Sequence, residues 1–320
     1  MLQKNIFIIG NGFDLDLGLK TSYSDFAKSS FWPQQEGYTI PYMKTFLEKK
    51  REAETWFDIE KSLTDYAQKT NCNILSFIRK WRYNSQVDKN YFDKIKDALC
   101  SYIKEQQEGD IKKSSVAEVV LKSVISNGFF DSIYSFNYTD LNVLAKKIGI
   151  NSEIKYNHIH GKISNKSIIL GVNDTPIKNG YEFLQKNKSE YYRSHSIPDD
   201  LNKAKEVVFF GLSLPGIDYV YFEKFFKSQS EKGPLEDMKK KNITIFTKDE
   251  NSRLNIINGL EKMGVNLHNI NAHSNFKIIR TIEEKDKCII EEFYDRLSKN
   301  SKAIIGPLIS DFEFLQDLND

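Results

Sequence analysis

Residues 5–14 have the sequence Asn-Ile-Phe-Ile-Ile-Gly-Asn-Gly-Phe-Asp, a short apolar run that ends in a glycine-rich turn. An isoleucine- and phenylalanine-rich run without polar alternation is typical of a strand buried on both faces of a parallel sheet. The glycines at Gly10 and Gly12 permit a tight turn into a helix. This stretch therefore predicts the first strand–turn–helix unit of an α/β protein.

Other short apolar runs have the same character, and each is the length of a strand. They cover residues 132–135, 168–170, 207–210, 243–246 and 276–281. Between and after them, apolar residues recur every three or four positions, which predicts helices. These predicted helices cover residues 42–50, 56–69, 74–81, 91–108, 114–125, 252–263 and 284–297. Strands that alternate with helices predict a Rossmann-like, doubly wound parallel sheet.

The spacing of these elements predicts three parts. Residues 1–30 and 129–250 form a nucleotide-binding core, and residues 31–128 form a large helical insert or cap. Residues 251–320 add a strand and helices that complete the core. The polar stretch 173–200 is expected to be a loop or a helical lid.

Composition excludes several classes of protein. The 320 residues include 46 Lys plus Arg and 44 Asp plus Glu, for a net charge of +2. This nearly equal number of basic and acidic residues gives no support to a protein that binds duplex nucleic acid mainly through a basic surface. We expect no signal peptide, because residues 5–9 form a strand-length apolar run that leads directly into the glycine turn, and no run reaches the roughly 20 apolar residues of a membrane span. We therefore expect a soluble cytoplasmic protein without a membrane partner.

In an open α/β sheet the ligand crevice lies beyond the carboxyl ends of the strands. After the first strand come Gly10, Asn11, Gly12, Phe13 and Asp14, which could approach a phosphate. The dinucleotide-binding fingerprint is incomplete, since its third glycine falls at Leu15. Glycine needed only for the sterics of the turn is the alternative.

Polar residues also follow the next strands. Asn137 and Asp140 could meet a ligand, or they could cap a helix. His160 stands before a glycine at the end of an element, where it could transfer a proton or have only a structural role. His158 lies two residues earlier, but no cysteine or third histidine is near in the sequence, so we expect no metal.

The later strand ends carry smaller polar groups. Gly211 and Ser213 resemble a nucleophile elbow, but Pro215 replaces its final glycine, so the Ser213 hydroxyl is better suited to a phosphate or a ribose. Thr247 and Asp249 could bind the hydroxyls of a ribose, with helix capping as the alternative for Asp249.

Several of these segments together resemble the AbiH family of bacterial abortive-infection proteins. The opening pattern comprises residues 8–14 and residues 18–26, the latter with the sequence Gly-Leu-Lys-Thr-Ser-Tyr-Ser-Asp-Phe. The pattern continues at residues 56–60, 135–139, 158–161 and 211–213. The resemblance implies a role in defence against bacteriophage.

The same segments resemble, more distantly, sirtuin-like domains. That resemblance implies NAD as the ligand, Tyr23 and Phe26 in the cofactor-binding loop, and His160 as the catalytic base. Two differences from sirtuins argue against deacylase activity. Three scattered cysteines cannot form the four-cysteine zinc module, and Ala27 stands where sirtuins have arginine.

The leading hypothesis is an anti-phage effector that binds NAD and hydrolyses it, with Asn137, His160 and Asp140 as catalytic residues. The alternative is a nucleotide-binding sensor or scaffold without turnover. A nuclease is less favoured, because Asp58 and Glu60 lie two positions apart on a helix and face different directions. A phage-derived trigger, a partner protein and a homo-oligomer all remain open.

Overall fold

A computed structural model describes residues 4–34, 40–71, 84–125, 128–173, 176–214, 216–231 and 240–298. These residues contain a six-stranded, all-parallel sheet with the strand order β3-β2-β1-β4-β5-β6. The strands are β1 (Lys4–Ile9), β2 (Ser132–Ser135), β3 (Asn157–His158), β4 (Ala204–Phe210), β5 (Lys241–Thr247) and β6 (Ser274–Arg280). This order is that of a doubly wound Rossmann-like sheet, which confirms the predicted fold class.

Helices connect the strands. They are α1 (Asn11–Asp16), α2 (Tyr23–Lys28), α3 (Tyr42–Ala53), α4 (Ile59–Asn71), α5 (Ser85–Glu108), α6 (Val116–Val120), α7 (Leu141–Lys147), α8 (Ile197–Lys203), α9 (Glu223–Ser230), α10 (Glu250–Lys262), α11 (Leu267–His273) and α12 (Lys287–Ser298). Helix α6 continues into a π-helical turn, Leu121–Ile125. The helix predicted at 74–81 lies outside the described residues.

Strand β1 lies at the centre of the sheet and shows why its sequence is uniformly apolar. Successive side chains of a strand point to opposite faces. Phe7 and Ile9 pack into one core cluster with residues of α6, α7 and α12, whereas Ile6 and Ile8 pack into another with residues of α8, α9 and α10. Both faces of β1 are therefore buried under helices.

The strand predicted at residues 168–170 is wrong. These residues form no strand and pair with none of the strands of the sheet, and Asn157–His158 provides the edge strand beside β2 instead. Ile168 and Leu170 are apolar because they pack into the hydrophobic cluster of the insert, while the Ile169 amide donates to the His160 carbonyl at 2.8 Å. A buried loop and a buried strand have the same apolar pattern over three residues.

The helical insert between β1 and β2 has a hydrophobic core of its own, built on α3, α4 and α5. Helix α4 begins at Ile59 rather than at residue 56, because Asp58 Oδ1 accepts the Glu60 and Lys61 amides and so caps the helix. The core of the insert also includes side chains from a later segment: Ile163, Ile168, Leu170, Val172, Tyr181 and Leu184. The insert and residues 163–184 therefore form one packing unit.

Within the part of the chain that the structure describes, no helix is both long and apolar enough to cross a membrane.

Candidate functional site

The turns after β1 and β4 meet at the point where the order of the sheet reverses. A Cβ atom on Gly12 would lie 2.5 Å from Gly211 Cα, and one on Gly10 would lie 2.7 Å from the Gly211 carbonyl oxygen. Gly211 itself has a φ of +65°. These glycines are therefore required by backbone packing, in agreement with the steric alternative.

The backbone amides of this turn already have acceptors. Gly10 N–H donates to the Phe210 carbonyl at 2.9 Å, Gly12 N–H to the Gly211 carbonyl at 2.8 Å, and Phe13 N–H to the Gly10 carbonyl at 2.9 Å. A phosphate at this edge of the sheet would therefore need donors other than these three amides.

Asp14 is the centre of a buried polar cluster. Its side chain is 1% exposed. Asn137 Nδ2 donates to Asp14 Oδ1 at 2.8 Å, and Thr139 Oγ1 donates to Oδ2 at 2.9 Å. Nearby, Thr21 Oγ1 donates to Asn11 Oδ1 at 2.7 Å. The segments that follow β1 and β2 are thus joined by the hydrogen bond between Asp14, predicted to bind the ligand, and Asn137, predicted to be catalytic.

Two features make this cluster chemically notable. Burial raises the pKa of Asp14 to about 7, although hydrogen bonds from Thr139, Asn137 and Thr21 oppose the rise. Asn137 Oδ1 is buried and has no hydrogen-bond partner among the described residues. A buried acceptor without a donor is costly, so a ligand hydroxyl or amide would be stabilised there.

His160 belongs to a second buried cluster. Its Nε2 lies 3.0 Å from Asp218 Oδ1, and its Nδ1 lies 3.3 Å from Lys186 Nζ. Lys186 Nζ also lies 2.9 Å from Oε1 and 3.0 Å from Oε2 of Glu60, and 3.7 Å from Asp218 Oδ1. Glu60 comes from α4 of the insert, so this cluster joins the insert to the carboxyl edge of the sheet.

The contacts fix where the protons are. An ammonium group can only donate, so His160 Nδ1 accepts from Lys186. The other ring nitrogen, Nε2, then carries a hydrogen and donates a hydrogen bond to Asp218 Oδ1. Burial opposes the charge on Lys186, but the carboxylates of Glu60 and Asp218 outweigh it and raise the pKa of Lys186. Burial likewise opposes the charge on Asp218, but His160 and Lys186 hold the pKa of Asp218 well below its usual range.

The aromatic residues on either side of Asn137 in the chain contact His160. The Tyr138 ring is centred 6.4 Å from the His160 ring and the Phe136 ring 5.5 Å from it, so both neighbours of Asn137 in the chain contact His160. Tyr138 Oη lies 3.1 Å from Tyr23 Oη. Burial, followed by the charge of Glu60, raises the pKa of both hydroxyls well above the ordinary value. The structure therefore brings Asp14, Asn137 and His160 to one region.

Asp140 lies apart from His160 in its contacts. It caps α7 through the Asn142 amide at 2.9 Å and accepts the Tyr156 hydroxyl at 2.8 Å. The same Tyr156 oxygen lies 2.8 Å from His158 Nε2. Burial, followed by the charge of Lys162, lowers the pKa of His158 to about 4, so this histidine is neutral. The capping alternative describes Asp140 in this structure.

The remaining predicted residues differ in what they contact. Phe13 and Phe26 are buried in apolar clusters, and Phe26 packs against Trp32. Ser213 is exposed, whereas Thr247 is buried at the end of β5. Asp249 caps α10 by accepting the Ser252 amide at 2.8 Å. As ligand-binding residues, these positions remain predictions.

Sequence reasoning missed three members of the His160 cluster: Glu60, Lys186 and Asp218. Glu60 lies in the segment 56–60 that resembles the AbiH family, but the sequence gives it a possible role only with Asp58 in a nuclease site. Asp218 follows the β4 turn closely enough to have been a candidate. Lys186 lies in the polar stretch 173–200, where no spacing or motif distinguishes it from its neighbours.

Comparison with known proteins places the chain in a family. No curated protein matches the sequence. The sequence model of the family described as bacteriophage abortive infection AbiH matches residues 6–234, a range that includes the Asp14 cluster and all four members of the His160 cluster. The match extends from β1 through β4 and covers most of the chain, so this protein belongs to the AbiH family and has its role in abortive infection by bacteriophage.

Proposed function

We propose that this abortive-infection protein binds NAD at the carboxyl edge of its sheet and hydrolyses it to nicotinamide and ADP-ribose. The observation that carries the proposal is the pairing of Asp14 with Asn137. A buried carboxyl group lies beside an amide oxygen that lacks a donor within the described residues. A ribose offers hydroxyl donors to such an oxygen, and a carboxylate stabilises positive charge on its ring.

Hydrolysis of this bond needs few functional groups from the protein. The bond between ribose C1′ and the nicotinamide nitrogen breaks, and its electron pair neutralises the positively charged ring, so the leaving group needs no proton. Water adds its oxygen to C1′ and gives up one proton. Since the transition state resembles an oxocarbenium ion, negative charge near the sugar and a proton acceptor near the water are the main requirements.

Three of the predicted residues would meet these requirements. Asn137 would orient the ribose or the attacking water, and Asp14 would supply negative charge. A pKa of about 7 leaves Asp14 substantially ionised near neutrality while keeping it able to take up a proton. His160 would accept the proton of the water through Nδ1, once that nitrogen is free of Lys186.

The rest of the dinucleotide would extend along the same edge of the sheet. The pyrophosphate would pass the turn at Gly10, Asn11 and Gly12 towards Ser213, and the adenosine ribose would lie near Thr247 and Asp249. Because the amides of Gly10, Gly12 and Phe13 are engaged by carbonyl groups, side chains would provide most of the phosphate contacts.

The experiment measures nicotinamide released from NAD by the purified chain, alone and with lysate from phage-infected cells. Asn137→Ala and Asp14→Asn are expected to lower the rate at least 100-fold. Asn202→Ala and Asp199→Asn change the same residue types at exposed positions and should retain the wild-type rate. Absence of nicotinamide release under both conditions, together with unchanged cellular NAD after infection, would contradict the proposal.

A second candidate function is a nucleotide-binding sensor without turnover. The observation that favours it is that both ring nitrogens of His160 are engaged by protein side chains. Calorimetry with NAD and ADP-ribose separates the two. Tight binding without nicotinamide release, and phage defence that survives His160→Ala, would identify a sensor.

A further inference from the structure

We propose that Lys186, held in place by Glu60 of the insert, covers the basic nitrogen of His160, and that Asp218 positions the imidazole so that Nδ1 is that nitrogen. The inference rests on the proposed function, because it concerns how His160 becomes available as the proton acceptor. It assigns roles to three residues that had none: Asp218 and Lys186 act through His160, and Glu60 acts through Lys186.

The first step is the orientation of the ring. Asp218 Oδ1 accepts a hydrogen bond from Nε2–H at 3.0 Å, which leaves the lone pair on Nδ1. A carboxylate that fixes one ring nitrogen determines which nitrogen can act as a base. In this chain the base is therefore Nδ1, and His160 is only 5% exposed, so its orientation is set by these contacts and by the Phe136 and Tyr138 rings.

The second step is what occupies Nδ1. The Lys186 ammonium lies 3.3 Å from it and donates a hydrogen bond to the lone pair. A water molecule or ribose hydroxyl about to lose its proton would have to donate to the same lone pair. Lys186 and the reacting group therefore compete for one position, and the arrangement in this structure is the covered one.

The third step is what holds Lys186. Its ammonium lies 2.9 Å and 3.0 Å from the two oxygens of Glu60, closer than to Asp218 or His160. Glu60 is the second residue of α4, whose cap Asp58 fixes the start of the helix. Movement of α4 away from the sheet would therefore draw Lys186 off Nδ1, which makes the insert the element through which a trigger can act.

The test follows the imidazole nitrogens directly by ¹⁵N NMR of histidine-labelled full-length protein. The His160 signals are assigned with His160→Gln. The main variant is the double substitution Glu60→Gln with Lys186→Met, because it removes the cover without leaving an unpaired buried carboxylate at position 60. Lys188→Met changes an exposed lysine of the same turn and is the matched control.

In the wild type we expect a protonated Nε2 and a hydrogen-bonded, unprotonated Nδ1. In the double variant the Nδ1 resonance should move towards that of a free acceptor, whereas His158 and the control variant should show no change. Asp218→Asn should disturb the Nε2 resonance. An unchanged Nδ1 resonance in the double variant would overturn the inference, whether or not the protein hydrolyses NAD.

Kinetics then test the consequence for the reaction. Without a phage trigger, the double variant should release nicotinamide about tenfold faster than the wild type, a coupling in the usual range between two sites. A shifted Nδ1 resonance with slower release would show that Lys186 is needed for the reaction and would overturn the covering role. If no variant releases nicotinamide, the proposed function fails, and the NMR result still decides whether Lys186 covers His160.

Discussion

Asn137 donates its side-chain amide to Asp14 Oδ1 across 2.8 Å, although 123 positions separate the two residues in the chain. The bond joins the helix after β1 to the loop after β2, and Thr139 adds a second donor to the same carboxyl group. The polar centre of the candidate site is therefore also a structural link between neighbouring strands of the sheet.

Loss of either donor should destabilise the fold. Asn137→Ala and Thr139→Val each leave one oxygen of the buried Asp14 carboxyl without its partner, which costs about 1–3 kcal/mol of unfolding free energy. Urea unfolding followed by circular dichroism measures the effect. Asn202→Ala, at an exposed position, should stay within about 0.5 kcal/mol of the wild type. An equally small effect of both buried substitutions would show that the carboxyl group finds other donors.

The stability of the protein should depend on pH through Asp14. Its pKa is about 7 in the folded chain against an ordinary value of 3.8, so the folded state binds more protons than the unfolded state between these limits. The stabilising contribution is complete below pH 3.8 and is lost as the pH rises through 7, at up to about 1.4 kcal/mol per pH unit.

Asp14→Asn isolates this contribution, because asparagine does not titrate. From pH 5 to pH 8, the free energy of unfolding of the wild type should fall relative to that of the variant. Urea titrations of both proteins at pH 5, 6, 7 and 8 measure the difference. Parallel pH dependences would mean that Asp14 is already ionised at pH 5.

The contact between the two glycine turns should tolerate no side chain. In Gly12→Ala the new Cβ would lie 2.5 Å from Gly211 Cα, and backbone on both sides leaves no flexible group to yield. We expect a loss of more than about 2 kcal/mol, by analogy with overpacked cores. Gly109→Ala is the control, since Gly109 has a φ of −68° and its Cβ would meet only Gln106 O, at 3.1 Å. Thermal melting of both variants provides the comparison, and similar melting temperatures would contradict the expected clash.

The Glu60–Lys186 ion pair should show strong coupling in a double-mutant cycle. Lys186→Met leaves the buried Glu60 carboxyl group, whose pKa burial already raises, without its cationic partner, which costs about 3–5 kcal/mol. Adding Glu60→Gln should recover part of that loss, because the uncompensated charge is removed. Urea unfolding of both single variants and the double variant gives the coupling energy. Additive losses would mean that water or another cation satisfies Glu60.

The sequence was sufficient for the architecture where several signals agreed. The run from residue 5 to residue 14 combines β-branched residues, burial on both faces and a glycine turn, and β1 followed by α1 is what the structure shows. Residues 168–170 carried only one of these signals. Because a loop that is covered by the insert excludes water as completely as a sheet does, their apolar character did not distinguish a strand from a loop.

For the candidate site, sequence reasoning found the residues that follow strands but missed those that arrive from elsewhere. Asn137 and His160 stand at strand ends, where the crevice rule directs attention. Glu60 and Lys186 reach the same region from a helix of the insert and from a 3₁₀ turn, and the two residues are 126 positions apart in the chain. The pairing of Glu60 with Lys186 depends on how the insert packs against the sheet, and no local sequence pattern predicts that packing.

The shared packing of residues 163–184 with the insert bears on how this family can diversify. A chimera that exchanges only residues 31–128 with a relative would place a foreign hydrophobic surface against the native Ile168, Leu170 and Tyr181, and would separate Glu60 from Lys186, with which it forms an ion pair. Recombination should therefore succeed when both segments come from the same parent, so that the two are inherited as one unit despite the strands β2 and β3 and the helix α7 that lie between them.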